Sequence, residues 1–434
     1  KTLPLPLVLG ASFAYLALLF AVAWWADRRA AQGRSVIGNA WVYTLSIGVY
    51  CTAWTYFGSV GRAATAGLWF LPIYLGPTLA MLLAWSLLRR MVRIARAHRI
   101  TSIADFIASR YGGSRGLAAL VTLIALVGIL PYVALQLKAI ASGLNLLTGA
   151  HAAANAPWWQ DSTLVIAIAL AGFTIAFGTR HLDAAERHEG MVAAIALESV
   201  VKLVAFVAVG VFVCWGLFNG PTDIFERAAA QPELASLLRL SGGASGDTRF
   251  AGGQWFALTL LAALSLLFLP RQFQVMVVEN VDARHIGRAL WAFPLYLLLI
   301  NLFVLPIAVG GLLHFANSGL GSADPETFVL SLPLAAGAEW LALVAFVGGL
   351  SAATGMVIVE SIAVSTMVSN DWLMPLLLRA RPARDLSRSV LAVRRLVIVA
   401  LLLLGYLYFR VAGEAYALVS IGLISFAAVA QFAP

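Results

Sequence analysis

Glu198 and Lys202 stand four residues apart in ALESVVKL (196–203), inside an apolar run, 191–218, that otherwise reads as a membrane-spanning helix. A charge at bilayer depth costs about 2.5–3.5 kcal/mol on insertion scales, so such residues mark ion pairs, ion paths or proton relays. The run is about 28 residues long at 1.5 Å each, which puts its midpoint near position 204 and Lys202 within about 4 Å of it. Glu198 lies one turn toward the 178–190 loop on the same face, where a carboxylate and an ammonium can pair. Such a pair either handles protons or welds its helix to neighbours.

Other polar residues punctuate apolar runs. Tyr132 and Gln136 are spaced i, i+4 and share a face, while Lys138 points roughly 200° away from Gln136. The first two either face a cavity or make the interhelical bond common to bundles. Ser351 and Thr354 stand one turn apart near the middle of the run 339–368, and Glu360 sits off their face. Lys138 and Glu360 read as members of structural ion pairs. The loop GTRHLDAAERHEG (178–190) holds His181, Glu186, His188 and Glu189, but without zinc-type spacing. It reads as a solvated amphipathic loop.

The elements that position these residues follow from composition. Hydrophobic residues make up 61% and charged residues 11% of the 434, against roughly 25% charged in soluble domains. The chain is therefore a polytopic, all-α integral membrane protein, organised as one domain. Apolar runs at 5–26, 41–60, 67–88, 116–147, 162–177, 191–218, 254–269, 290–315, 339–368, 392–409 and 414–433 define segments α1 to α11. The first is too long for a signal-peptide core and lacks a small-residue cleavage site, so it reads as a retained helix.

Alternate loops fall on opposite sides. One side carries 21 Lys and Arg, the other 5, and Arg62, Lys138 and Lys202 lie in or beside spans. The positive-inside rule puts the basic side in the cytoplasm and the N-terminus outside, as in a bacterial-type cytoplasmic membrane. The net charge of +9 is then a topology signal, not a nucleic-acid footprint. Two cysteines, both in apolar runs, suggest neither a disulfide framework nor a cysteine metal site. No nucleophile–base pair or nucleotide loop is present, so no enzyme active site is expected.

Two spans are irregular. In α7, about fourteen apolar residues precede Pro270 and Arg271, a length of about 21 Å that cannot cross alone. Gln272 to Asn280 offers a second half. In α2, WVYTLSIGVYCTAWTYFGSVG (41–61) is crowded with hydroxyls and glycines that let a helix unwind. Irregular backbone is tolerated at membrane depth only where protein buries it or a cavity meets it. The two segments are five spans apart, the spacing of a five-plus-five inverted repeat, and paired interruptions point to a transporter binding site.

RITSIADFIASRYG (99–112), LPYVALQLKAI (130–140), GSVG (58–61) and FLPRQFQVMVVEN (268–280) together resemble the sodium/solute symporter family. FLPRQFQVMVVEN and VSTMVSND (364–371) are most similar to the branch fused to sensor histidine kinases, the CbrA type. The resemblance implies a LeuT-type fold, with one extra helix (5–26) before two inverted repeats (41–218 and 254–433). It also implies a continuation beyond Pro434 into further spans and cytoplasmic signalling domains, with a kinase and response regulator as partners; no phosphoacceptor or ATP-binding motif occurs in the chain itself.

The resemblance further implies a small-solute site between the unwound middles of α2 and α7, with α4, α9 and α11 contributing, and a sodium site between α2, α6 and α9. The carbonyls of Gly48 and Cys51 take the sodium position, while Thr52, Trp54, Thr55, Tyr132, Gln136 and Phe268 lie near solute. Ser351 and Thr354 supply hydroxyl ligands, although the family usually has two adjacent hydroxyls here; alternatively they bond back to their own helix. Lys202 departs from the family pattern. Its ammonium can occupy the place of the sodium, as in some proton-coupled transporters of this fold. No cofactor is expected beyond a coupling sodium or proton. The implied solute is an amino acid, histidine first, either transported or sensed without net flux.

Overall fold

A computed structural model describes residues 2–150, 157–178, 188–240, 251–318, 323–380, 387–412 and 418–434. The described residues are helical or irregular, with no strand. All eleven apolar segments contain helix. α1 spans Leu5–Ala31, α4 Arg115–Thr148, α5 Ser162–Gly178, α10 Ser387–Ala412 and α11 Leu418–Ala430. α3 comprises Pro72–Leu83 and Trp85–Ala97, and α6 runs from Glu189 to Leu217, ending in a π turn. α8 is longer than its apolar run, with helices His285–Asn301 and Val304–Ser318.

α9, Glu339–Val368, is the axis of the bundle. Of its most apolar 18 residues 83% are buried, against 17% in α1, which therefore lies at the lipid-facing edge. Glycines let α9 approach its neighbours closely: a Cβ on Gly355 would come within 2.5 Å of the Glu198 carboxylate on α6. Small residues at helix contacts are how membrane bundles gain packing without a hydrophobic driving force.

The two irregular spans break as their sequences predict. α2 begins as helix Ala40–Ile47, tightens to a 3-10 turn at Gly48–Tyr50, becomes extended at Cys51 (ψ 94°), then resumes as a π turn, Trp54–Gly58, and helix Ser59–Ala66. α7 runs as Gly252–Phe268, turns at Leu269 (ψ 132°) and continues as Pro270–Val278 at 49° to the first half. Proline at the first helical position restarts the helix without needing its missing N–H.

One charge assignment changes. Arg271, counted above with the cytoplasmic loop after α7, is fully buried in the second half of that helix. Counting charge along the chain treats a basic residue after a proline as loop, whereas here the proline starts a new helix.

Candidate functional site at the helix breaks

The break in α2 leaves backbone groups without helical partners, and side chains from α4, α6 and α7 meet several of them. From α4, Tyr132 shares a hydrogen bond with Thr52 Oγ1 (2.9 Å), and Gln136 Oε1 accepts from the Ala53 amide (3.1 Å). Tyr132 and Gln136 thus do share a face, and Gln136 caps the resumed half of α2. Its own amide group donates back to the Tyr132 carbonyl. Thr52 Oγ1 also accepts from the Trp54 amide (3.2 Å).

An aromatic wall closes around this point. Trp54 lies 6.0 Å from Tyr74, Phe426 stacks on Tyr132 at 6.0 Å, and Gly422 of α11 sits against Trp54 so closely that a Cβ would lie 2.7 Å from the indole. Thr52, Trp54, Thr55, Tyr132 and Gln136 are all buried together. Phe268 is half-buried at the last residue before the α7 break.

Lys202 of α6 reaches the other side of the same break. Its Nζ donates to the carbonyls of Gly48 (2.6 Å) and Cys51 (2.8 Å). Gly48 packs on α6 at Ser199, where a Cβ would be 2.6 Å from Oγ. The Gly48 oxygen, which also accepts from the Cys51 amide, and the Cys51 oxygen together hold the ammonium of Lys202, a residue 2% exposed.

Glu198 does not pair with Lys202. The i, i+4 expectation treats α6 alone, whereas the lysine finds two fixed carbonyls on α2, and no ion pair within 4.0 Å joins the two among the described residues. Glu198 turns instead to α9: Oε1 accepts from Thr354 (2.7 Å), and its backbone carbonyl accepts from Ser351 (3.0 Å). Thr354 also bonds back to Leu350 (2.8 Å), the alternative expected of the α9 hydroxyls. Ser351 accepts from Tyr15 of α1 (2.8 Å), a participant that nothing in the sequence marks. Glu198 Oε2 has no hydrogen-bond partner.

Beneath the aromatic wall lies a pair the sequence reading missed. Arg271 Nη1 donates to Glu360 Oε2 on α9 (2.8 Å), both side chains being fully buried, and the guanidinium carbon stands 4.8 Å from the centre of the Tyr132 ring. The expectation of an ion pair at Glu360 holds. The signal available was Pro270-Arg271 at the interrupted span.

The loop 178–190 is only partly described, and His181 and Glu186 lie outside the described residues. His188 and Glu189 are not simply solvated. His188 Nδ1 lies 2.7 Å from Glu279 Oε1 and its amide donates to Oε2 (3.1 Å), while Ser35 donates to Glu189 (2.8 Å). Burial pushes the Glu279 carboxyl up, but His188 and the donated bonds outweigh it and hold it below the usual carboxylate range. Burial pushes His188 down, and Glu279 more than reverses this. The contact ties the start of α6 to the end of α7. Among the described residues no three His, Cys, Asp or Glu side chains gather as a metal site.

No protein-family model matches the chain. In sequence it is 26% identical, over 325 residues, to the uncharacterized symporter YhjB of Bacillus subtilis (strain 168). That match takes in 73% of this chain and 58% of the relative, so the chain spans under two thirds of the relative's length. In structure it superposes on the substrate-bound, outward-open state of a Na+-coupled sialic acid symporter with a TM-score of 0.69, over 96% of this chain and 84% of that one, at 16% identity. The fold is the LeuT-type symporter fold. The two interrupted spans are tied together here by Tyr43 of α2, which donates to the Met276 carbonyl of α7 (2.8 Å). Both similarities are to symporters, and with the apolar helices they make the chain a multi-pass membrane protein.

Proposed function

We propose that this chain is a secondary-transporter-type module that imports a small polar solute, an amino acid with histidine as the first to test, and couples import to protons through Lys202. The observation that carries the reading is the ammonium of Lys202 on the carbonyls of Gly48 and Cys51. A monovalent cation needs several oxygens, and here an ammonium tethered to α6 already uses two of them. Its proton is then the exchangeable charge: protonated, it bridges α6 to the unwound α2; deprotonated, it releases the carbonyls and lets α2 move. Ser351 and Thr354, turned to Glu198, support a second helix–helix lock rather than a sodium shell.

The structural neighbour is sodium-coupled, so the two ions must be tested separately. Purified protein in liposomes should take up labelled histidine, or another amino acid of the set of twenty, under an inward proton gradient without sodium. Strict sodium dependence would sink the Lys202 mechanism. The same tethered cation also suits a receptor: with a lysine that never releases its proton the module has no ion to move, and solute binding without accumulation is the expected result. Attachment to a histidine kinase on the cytoplasmic side rests on the resemblance of 268–280 and 364–371, and the sequence beyond Pro434 in the intact gene decides it.

A further inference from the structure

Arg271 is a fully buried guanidinium at a helix break that uses only part of its bonding capacity. Nη1 donates to Glu360, and Tyr132 covers a ring-like face, but Nε and Nη2 have no hydrogen-bond partner. Those two atoms form one edge of the guanidinium plane, the edge whose parallel N–H groups match both oxygens of a carboxylate. Leaving such an edge unmet in a membrane interior is costly. Glu360 mirrors the arrangement: Oε2 takes Arg271, and Oε1 has no partner.

The pair is neutral as a whole yet presents a donor edge and an acceptor oxygen, both unfilled. A simple anion would satisfy Arg271 but sit against the Glu360 carboxylate. An α-amino acid zwitterion meets both, because its carboxylate and ammonium are separated by one carbon and their charges cancel. We propose that Arg271 and Glu360 together receive the α-carboxylate and α-ammonium of the solute, with the aromatic wall of Trp54, Tyr132 and Phe426 left to face its side chain. This deepens the proposed function and rests on its small-solute reading, with the solute lying between the α2 and α7 breaks.

Binding in detergent, where no gradient exists, tests the inference apart from transport. The melting temperature of the purified chain is measured against the twenty amino acids, their amides and their N-acetyl forms. At least one free amino acid should stabilise the protein, with its amide and N-acetyl forms at least tenfold weaker. Arg271→Lys, which keeps charge but loses the fork, should weaken the free amino acid at least tenfold, and Glu360→Gln should reduce the preference for the free amine. No shift with any amino acid, or equal shifts with the blocked forms, overturns the assignment using wild-type protein alone. So does unchanged affinity in a folded Arg271→Lys variant. Binding without uptake would retire the transport reading and leave this one standing, whereas uptake of neutral solutes alone would do the reverse.

Discussion

Lys202 Nζ lies 2.6 Å from the carbonyl oxygen of Gly48, and it is the backbone break of α2, not a carboxylate, that holds this charge. An ammonium bonded to fixed carbonyls is anchored by atoms that exist only while α2 is unwound in this way. The position of the charge is thus tied to the conformation of α2.

Replacing the lysine should expose that dependence. Lys202→Ala removes a donor from Gly48 and Cys51; the Gly48 carbonyl keeps the Cys51 amide (3.0 Å), and the loss at the Cys51 carbonyl costs about 1–3 kcal/mol. The variant should melt below wild type in choline chloride and regain part of the loss in sodium chloride, since a small cation can take the freed oxygens. Wild type should show no sodium-specific shift. Uptake by the variant should lose its dependence on the proton gradient. A variant indifferent to both sodium and protons would make Lys202 architectural.

Glu198 acts on α9, so its energetic partner should be Thr354 rather than Lys202. A side-chain hydrogen bond contributes about 0.5–1.5 kcal/mol. In double-mutant cycles Glu198→Leu with Thr354→Val should show a coupling of that size, while Glu198→Leu with Lys202→Met should couple more weakly, through space only. Melting of the four purified proteins in each cycle is sufficient. A stronger Lys202 coupling would mean that the two side chains pair in another conformation of the protein.

Much of this was readable from the chain, and the parts that were not share a cause. The α7 break follows from a short apolar run ending at Pro270, and the α2 break from its hydroxyls and glycines; both are local properties. The i, i+4 rule placed Glu198 and Lys202 correctly on one face, but a long side chain chooses its partner from neighbouring helices too, and α2 offered better oxygens. Tyr15 meets Ser351 only because α1 packs beside α9 and α6, a contact with no local signature. Arg271 was hidden by a rule of thumb: charges near span ends are scored as loop, and a broken helix brings such a residue back to the middle of the bundle.

The approach of α2 to α6 leaves no room at Gly48. A Cβ there would stand 2.6 Å from Ser199 Oγ and 3.1 Å from its Cβ. Gly48→Ala should destabilise by about 1–3 kcal/mol through overpacking, and because it pushes the carbonyl away from Lys202 it should depress uptake more than folding. Adding Ser199→Gly removes both clashing atoms and should restore most of the melting temperature. If the double variant melts no higher than the single one, close packing at this point is not what the glycine provides.

The His188–Glu279 contact gives the junction of α6 and α7 a pH window. Glu279 is held below the usual carboxylate range, so its contribution is present at neutral pH and is lost as pH falls through that lowered value. His188 is held above the usual imidazole range of about 6.5, so its contribution is complete below that ordinary value and is lost as pH rises through the raised one. The pair therefore stabilises the junction of α6 and α7 between the two. Wild type should lose melting temperature from mildly acidic to alkaline pH, and His188→Gln, which carries no charge to lose, should start lower and show a flatter decline. The two curves should converge at alkaline pH, where only the neutral ring remains in wild type. Parallel curves across the whole range would mean that the contact is held by the backbone amide of His188 and Gln274 alone, with no contribution from the imidazole charge.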